Sequence, residues 1–243
     1  MVTATFRFYE ELNDFLAPGR RRREFTVPCA RAATAKHMIE ALGVPHTEVE
    51  LILVNGASVG FGALLREGDR VAVYPKFEAF DITPLLRVRE APLRDTRFVA
   101  DVHLGSLARL LRRMGFDTLH DNGFADDQIE RIAAAQGRIV LTRDRDLLKR
   151  RGITHGCYVR ALRPQEQLRE VFERLDLARS ARPFTLCPGC NAALHPVDKA
   201  QVEHRLPPHV RELYHRFSAC EACGRVFWRG EHWEPMRALV DVQ

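Results

Sequence analysis

The sequence predicts an α/β protein in three parts, organised around a mainly parallel sheet in the middle of the chain. Three observations carry that expectation. From Phe98 onward, short apolar runs alternate with amphipathic ones, which implies parallel strands joined by right-handed crossovers. Before that point, residues 1–78 show short alternating strands around one helical stretch, the pattern of a small α+β unit. After it, the Cys-x-x-Cys pairs Cys187/Cys190 and Cys220/Cys223 mark a metal-bound module over residues 183–234. The central domain is expected to span residues 98–178. Residues 79–97, with Pro84, Pro92 and five charged side chains beyond Arg87, read as the linker before it.

Composition narrows the class. A hydrophobic content of 46% over 243 residues is enough for real cores. No run approaches the ~20 apolar residues of a membrane span, and the opening MVTATFRFYEEL lacks a basic segment followed by an apolar one. A cytoplasmic protein with no membrane partner is therefore expected. The formal net charge is +5 and the pI about 9.1. The excess lies in arginine clusters at Arg20–Arg23, at Arg109/Arg112/Arg113 and at Lys149–Arg151. Arginine suits phosphate, although a solvated basic face explains the charge equally well. Four of the six cysteines sit in the two pairs, and Cys29 and Cys157 stand alone. That pattern implies a reducing compartment and a metal, not a disulfide framework.

In the first part, Thr3–Phe8 alternates as a strand, Pro18-Gly19 is a turn, and Glu24–Val27 is the partner strand. Thr34 is placed to cap a helix through Leu42, which Gly43 and Pro45 end. Leu51–Val54 reads as a buried strand, Asn55-Gly56 as a turn, and Val71–Tyr74 as a strand stopped by Pro75. With the order ββαββ and the phrases LILVNG and LREGDRVAVYP, this segment resembles the ubiquitin-like β-grasp proteins of the sulfur-carrier type. Sulfur carriers end in a free Gly-Gly tail. Here Pro75 runs on into Lys-Phe-Glu-Ala-Phe80, so carrier chemistry is not expected, and the protein partner of this domain stays unspecified.

In the central part, Leu104, Leu107, Ala108, Leu111 and Met114 share one helical face, with Arg109, Arg112 and Arg113 mostly off it. Gly115 suits the position after that helix. Phe116–Leu119 is the second strand. Asp126 or Asp127 is placed to cap a helix carrying Ile129, Ile132 and Ala133, and Arg138–Thr142 is the third strand. A short basic helix follows at Leu147–Arg151, then a strand at Cys157–Ala161. Pro164 opens a last helix with Leu168, Val171, Phe172 and Leu175 on its buried face.

The chemistry lies in the acids. Asp101 ends the first strand, Asp144 and Asp146 follow the third, and Asp126-Asp127 lies between. Carboxyl ends of parallel strands are where open α/β sheets bind ligands. Close carboxylates repel by ~1 kcal/mol in water and ~4 kcal/mol nearer a protein interior. A shared proton or a divalent cation relieves this, and hard oxygen donors suit Mg²⁺ or Mn²⁺. The pattern points to a metal-dependent phosphodiesterase site. Helix capping explains one of Asp126 and Asp127, and explains Asp146 as well as ligation does. Asp101 and Asp144 end apolar strands with no comparable structural role in view. Arg143, Arg145 and Lys149 are close enough in sequence to meet a phosphate, or to balance the acids.

The phrases FVADVHLGSLARLLRRMGFDT and ADDQIERIAAAQGRIVLTRDRDLL resemble the PIN-like ribonuclease domain named after the C-terminal region of the Mut-seven exonuclease. Bacterial members often carry a ubiquitin-like domain in front. The resemblance implies a divalent-metal-dependent ribonuclease acting on RNA, single-stranded by expectation. Asp101 would be the first-strand carboxylate, Asp144 the acid of the TRD phrase, Asp126 or Asp127 the mid-domain acid, and Asp146 the fourth. Asp101 and Asp144 would hold Mg²⁺ or Mn²⁺, and Arg112, Arg113, Arg143, Arg145 and Lys149 would contact substrate. The alternative is a non-catalytic RNA- or ribosome-associated adaptor with a vestigial acidic cluster.

The two cysteine pairs lie 29 residues apart. Each can form a tight turn presenting two thiolates, and two such turns give a closed tetrahedral Zn²⁺ site with Zn–S near ~2.3 Å, so a zinc ribbon that helps hold RNA is expected. His195, His204, His209 and His215 lie in the insert as surface residues or phosphate contacts. Phe227, Trp228 and Trp233 either stack on bases or pack over the zinc loops.

Overall fold

The structure is a computed structural model, and it describes residues 2–75, 87, 96–230, 236 and 239. Most of the expected linker and Trp233 lie outside them. The chain divides into two compact units, one of residues 1–95 with 126–158 and one of residues 96–125 with 159–243.

The first unit contains the expected β-grasp arrangement. Strand β1 (Val2–Phe8) buries Ala4, Phe6 and Phe8 on one face, as its alternation requires. It pairs antiparallel with β2 (Phe25–Cys29) and parallel with β5 (Asp69–Tyr74). Helix α1 (Ala35–Ala41) is capped as expected, with the Thr34 hydroxyl accepting from the His37 amide at 3.2 Å. Strand β3 (Leu51–Val54) returns beside β5, and β4 (Ala57–Val59) adds a hairpin that the sequence reading did not include. The sheet order is β2-β1-β5-β3-β4. The β3–β4 turn needs two left-handed residues, supplied by Asn55 (φ 51) and Gly56 (φ 84).

Residues 126–158 pack within this same unit. They form α3 (Asp126–Gln136), β8 (Ile139–Thr142), α4 (Arg145–Leu148) and β9 (Gly156–Tyr158), numbered in chain order with β6, β7 and α2 given below. β8 and β9 are parallel. The three residues His46, Thr47 and Glu48 of the β-grasp domain are buried. His46 Nε2 lies 2.9 Å from the Ile153 carbonyl and its Nδ1 lies 2.8 Å from Glu40. Glu48 accepts the Tyr158 amide at 2.6 Å, and the Tyr158 ring meets Phe15 edge-on at 5.3 Å.

The second unit holds β6 (Phe98–Ala100), parallel to β7 (Thr118–Leu119), with α2 (Gly105–Arg113) against α5 (Pro164–Arg174). Leu104, Leu107, Ala108, Leu111 and Met114 are all buried, as their 3.6-residue spacing dictates. Phe98, Phe116 and Phe172 stack edge-to-face at 5.9 and 5.6 Å. The cysteine-bearing segment adds a three-stranded antiparallel sheet, β10 (His195–Val197), β11 (Phe217–Ala219) and β12 (Val226–Trp228). Helices α6 (Lys199–Val202) and α7 (Pro208–Leu213) fold over Phe217 through Val202, Leu206 and Val210.

The junction at β9 depends on Gly156. A Cβ there would lie 2.5 Å from Leu148 Cδ2, 3.3 Å from the Val140 carbonyl and 3.4 Å from Thr47 Oγ1. Gly156→Ala should therefore destabilise the full chain by roughly 1–3 kcal/mol. A denaturant titration showing unchanged stability would contradict this packing.

Candidate functional site

The four cysteines are brought together. They are the one group among the described residues in which three or more His, Cys, Asp or Glu ligand atoms lie within 4.8 Å of one another. Cys187 and Cys223 sulfurs stand 3.6 Å apart, and Cys190 and Cys220 sulfurs 3.4 Å. A tetrahedron of ~2.3 Å Zn–S bonds has edges near ~3.8 Å, so the donor set and its dimensions fit zinc. The two turns repeat each other. The Asn191 amide donates to the Cys187 carbonyl at 2.9 Å and the Gly224 amide to Cys220 at 2.8 Å. Cys187 and Cys220 amides donate to Ala192 and Arg225 carbonyls. Each turn closes on a left-handed residue, Asn191 (φ 67) and Gly224 (φ 71).

Burial pushes the Cys187 thiol up to about 12 and raises Cys220 as well. The Arg225 amide draws Cys223 down to about 7. Metal binding supplies the charge that ionises the buried pair, so affinity falls with acid.

This cysteine module is fastened to α2 and β7. Arg112 is buried, and its guanidinium donates to the carbonyls of Thr118 (2.8 Å), Pro188 and Gly189 (both 3.2 Å). Asn191 accepts the Thr118 amide at 3.1 Å and donates to Asp117 at 2.6 Å. The expectation that Arg112 contacts substrate is thereby corrected, because its donors are spent on backbone inside the fold. Arg109 is exposed and Arg113 half-buried.

Of the four aspartates in the first unit, Asp126, Asp127, Asp144 and Asp146, no three stand as close as the cysteines. Asp101, in the second unit, is buried at the end of β6 and caps the following 3-10 turn by accepting the Val102 amide at 2.6 Å. Asp144, in the first unit, follows β8 and caps α4 by accepting the Asp146 amide at 2.7 Å. Both therefore have the capping role that the sequence withheld from them. Asp146 is the residue capped, and it pairs with Lys149 at 3.0 Å. Asp126 and Asp127 both lie inside the first turn of α3, where acids suit the helix dipole. Asp127 pairs with Arg131 on the exposed face. Asp126 lies 3.6 Å from Arg150.

Arg150 also pairs with Glu130 at 3.0 Å, and Glu130 accepts the Gly152 amide at 2.9 Å. The Gly152 amide and Arg150 hold the Glu130 carboxyl below the ordinary carboxylate range. Arg145 is likewise occupied. Its guanidinium carbon lies 5.0 Å from the Phe15 ring centroid and 5.5 Å from that of Tyr158. Arg145 is half-buried against these rings, whereas Arg143 is exposed.

The four insert histidines are exposed, as expected. Phe227 packs on Cys187, Leu194 and Cys220, and Trp228 packs on Phe217 and Tyr214, each 6.5 Å away. Both aromatics thus belong to the core of this module. Sequence reasoning missed Glu48, Glu130 and Asn191. Only Asn191 had a local signal, as the residue after a metal turn, where a left-handed backbone favours Asn or Gly.

Fold and site together define an α/β domain with a four-cysteine metal module and a β-grasp domain before it. A family model described as the Mut7-C RNAse domain matches residues 96–240, and one described as Mut7-C ubiquitin matches residues 1–81. The first covers more than half of the chain, and the chain belongs to the Mut7-C RNase family. Two crystal structures of small archaeal modifier protein 1 from Haloferax volcanii are similar to it at 18% identity and a TM-score of 0.26. They cover 32% of this chain and 100% and 99% of their own. No curated protein matches.

Two outcomes test this geometry. Arg112→Met takes the donor from two buried carbonyls, those of Thr118 and Pro188, at a cost of about 1–3 kcal/mol. It should surrender zinc to a colorimetric chelator at lower chelator concentration than the unaltered chain, and an identical release curve would refute the fastening. Glu130, with its pKa depressed in the fold, contributes stability that is present above the unfolded carboxylate pKa and lost as pH falls through the folded value. Glu130→Gln should flatten that acid limb in a series of urea titrations.

Proposed function

We propose that this protein is a divalent-metal-dependent ribonuclease that hydrolyses RNA phosphodiester bonds, with the zinc ribbon helping to hold the strand. The observation that carries the reading is the match of residues 96–240 to the Mut7-C RNAse domain, with Asp101 as the buried acid closing its first strand. Asp101 and Asp144 would hold Mg²⁺ or Mn²⁺, with Asp126 or Asp127 and Asp146 completing the acidic set. Carboxylate oxygens at strand ends fit such hard ions. A bound ion supplies an activated water and neutralises charge on the scissile phosphate. The chain's own part is to fix the carboxylates by capping and to bring the strand alongside.

With Arg112 buried and Arg145 held against rings, the exposed Arg109, Arg143 and Arg151 and the half-buried Arg113 and Lys149 are the candidates to meet phosphate. The reducing cytoplasm is the compartment that suits four zinc-bound thiolates beside Cys29 and Cys157, which form no disulfide.

Asn caps a helix about as well as Asp does. Asp101→Asn and Asp144→Asn should therefore keep the fold while each removes most of the Mn²⁺-dependent cleavage of single-stranded RNA, with EDTA abolishing the rest. Arg143→Glu with Arg151→Glu should flatten the salt dependence of RNA binding in Ca²⁺, where each lost phosphate contact changes the slope by about 0.7. Full activity in both Asn variants would sink the site, and salt-insensitive binding would sink the RNA reading.

A further inference from the structure

We propose that the β-grasp domain is a positioning element of the nuclease site, holding the Asp144–Asp146 turn through Arg145 and through Glu48. The proposal rests on the ribonuclease reading of Asp144 and Asp146. It assigns a task to a domain whose resemblance to sulfur carriers implied none.

Two routes run from this domain to that turn, and both lie within the first unit. The first goes through Arg145, the residue between the two acids. Its guanidinium lies against the rings of Phe15 and Tyr158, at 5.0 and 5.5 Å. It also reaches the carbonyls of Asp14 and Phe15, at 3.5 Å each. Ring quadrupoles hold a guanidinium over their faces, and its flat shape suits that seat better than an ammonium would. Among the described residues its partners are rings and carbonyls, not carboxylates. A positive charge is thus kept beside Asp144 and Asp146 without an ion pair that would compete with a bound cation.

The second route goes through the strands. Glu48 accepts the Tyr158 amide at 2.6 Å. Tyr158 lies opposite Thr142 in the β8–β9 ladder. The Thr142 hydroxyl accepts the Asp144 amide at 2.9 Å. The turn is therefore tied to the β-grasp domain on both sides of Asp144. Sites that bind ions lose function when their carboxylates drift by an ångström, and residues behind them set that tolerance. Asp144 and Asp146 are exposed, so the burial that would fix them has to come from the neighbours on either side.

The test uses the full chain and three variants. Phe15→Leu stays apolar but removes the ring, Phe15→Tyr keeps the ring, and Arg145→Met keeps an unbranched stem and removes the charge. The readouts are Mn²⁺ affinity from the paramagnetic resonance of free Mn²⁺, amide hydrogen exchange across residues 144–148, and kcat and KM on RNA. Phe15→Leu and Arg145→Met should each weaken Mn²⁺ binding roughly tenfold, equivalent to about 1.4 kcal/mol. They should speed exchange at the Asp146 and Leu147 amides and lower kcat with KM little changed, while Phe15→Tyr behaves as the parent. Exchange and Mn²⁺ affinity unchanged in both variants would overturn the proposal. So would an Arg145→Met chain that loses only RNA affinity, since Arg145 would then be a substrate contact. Exchange needs neither metal nor substrate. A parent chain that cleaves no RNA would therefore defeat the ribonuclease reading while exchange still decides the positioning role.

Discussion

The Tyr158 amide reaches the Glu48 carboxylate at 2.6 Å, and the first unit is arranged around that contact. β9 is three residues long, and among the described residues it has a ladder with β8 alone. A strand in that position leaves backbone groups to be satisfied on its outer side. Glu48 is buried, so its charge needs donors as much as the amide needs an acceptor. His46, next but one, spans Glu40 and the Ile153 carbonyl in the same way. Breaking either contact takes a partner from a buried polar group, and that loss costs more than the bond contributes when made. That asymmetry explains why the compact unit runs through Tyr158 instead of stopping at the linker.

The second unit shows the same logic with a metal site. Four thiolates around a dication leave two negative charges, and Arg112 is buried beside them. Burial pulls the Arg112 pKa down, and the nearby Cys187, Cys190 and Asp117 oppose that pull. Its hydrogen bonds to Pro188 and Gly189 reach the backbone of the first metal turn itself. Folding energy supplied by a bound zinc would thereby pass to α2 and β7 as well as to the ribbon. The sequence divided residues 98–178 from 183–234. The family match runs through both without a break, as a module fastened by Arg112 and Asn191 should.

Features set by local spacing were legible beforehand. The α2 face from Leu104 to Met114, the Thr34 cap, the β1 alternation and the cysteine turns all follow from neighbours in the chain. What escaped was decided at long range. Periodicity places Arg112 at the border of the apolar face, but the carbonyls that claim it lie 76 and 77 residues away. Arg145 finds its carbonyls 130 and 131 residues away, and Glu48 its amide 110 residues away. No single sequence displays such pairs. The helices of the insert are a different case, because Val202, Leu206 and Val210 repeat every four residues. That signal is local and lies in the sequence among the insert histidines.

Capping and ligation need not compete at Asp101 and Asp144. Each follows a buried strand and accepts an amide at the start of the next element. One carboxylate oxygen is thus fixed on the chain's own backbone, which also fixes the direction of the other. A carboxylate held in this way has little freedom left to lose when a cation arrives. The acids of α3 differ from each other by the same reasoning. Asp127 pairs with Arg131 on the helix surface, a type of pair worth about 0.3–0.5 kcal/mol. Asp126 faces Arg150, which also pairs with Glu130 and lies two residues past the end of α4. An acid connected to the element that Asp144 caps is better placed to act with it than one turned toward solvent.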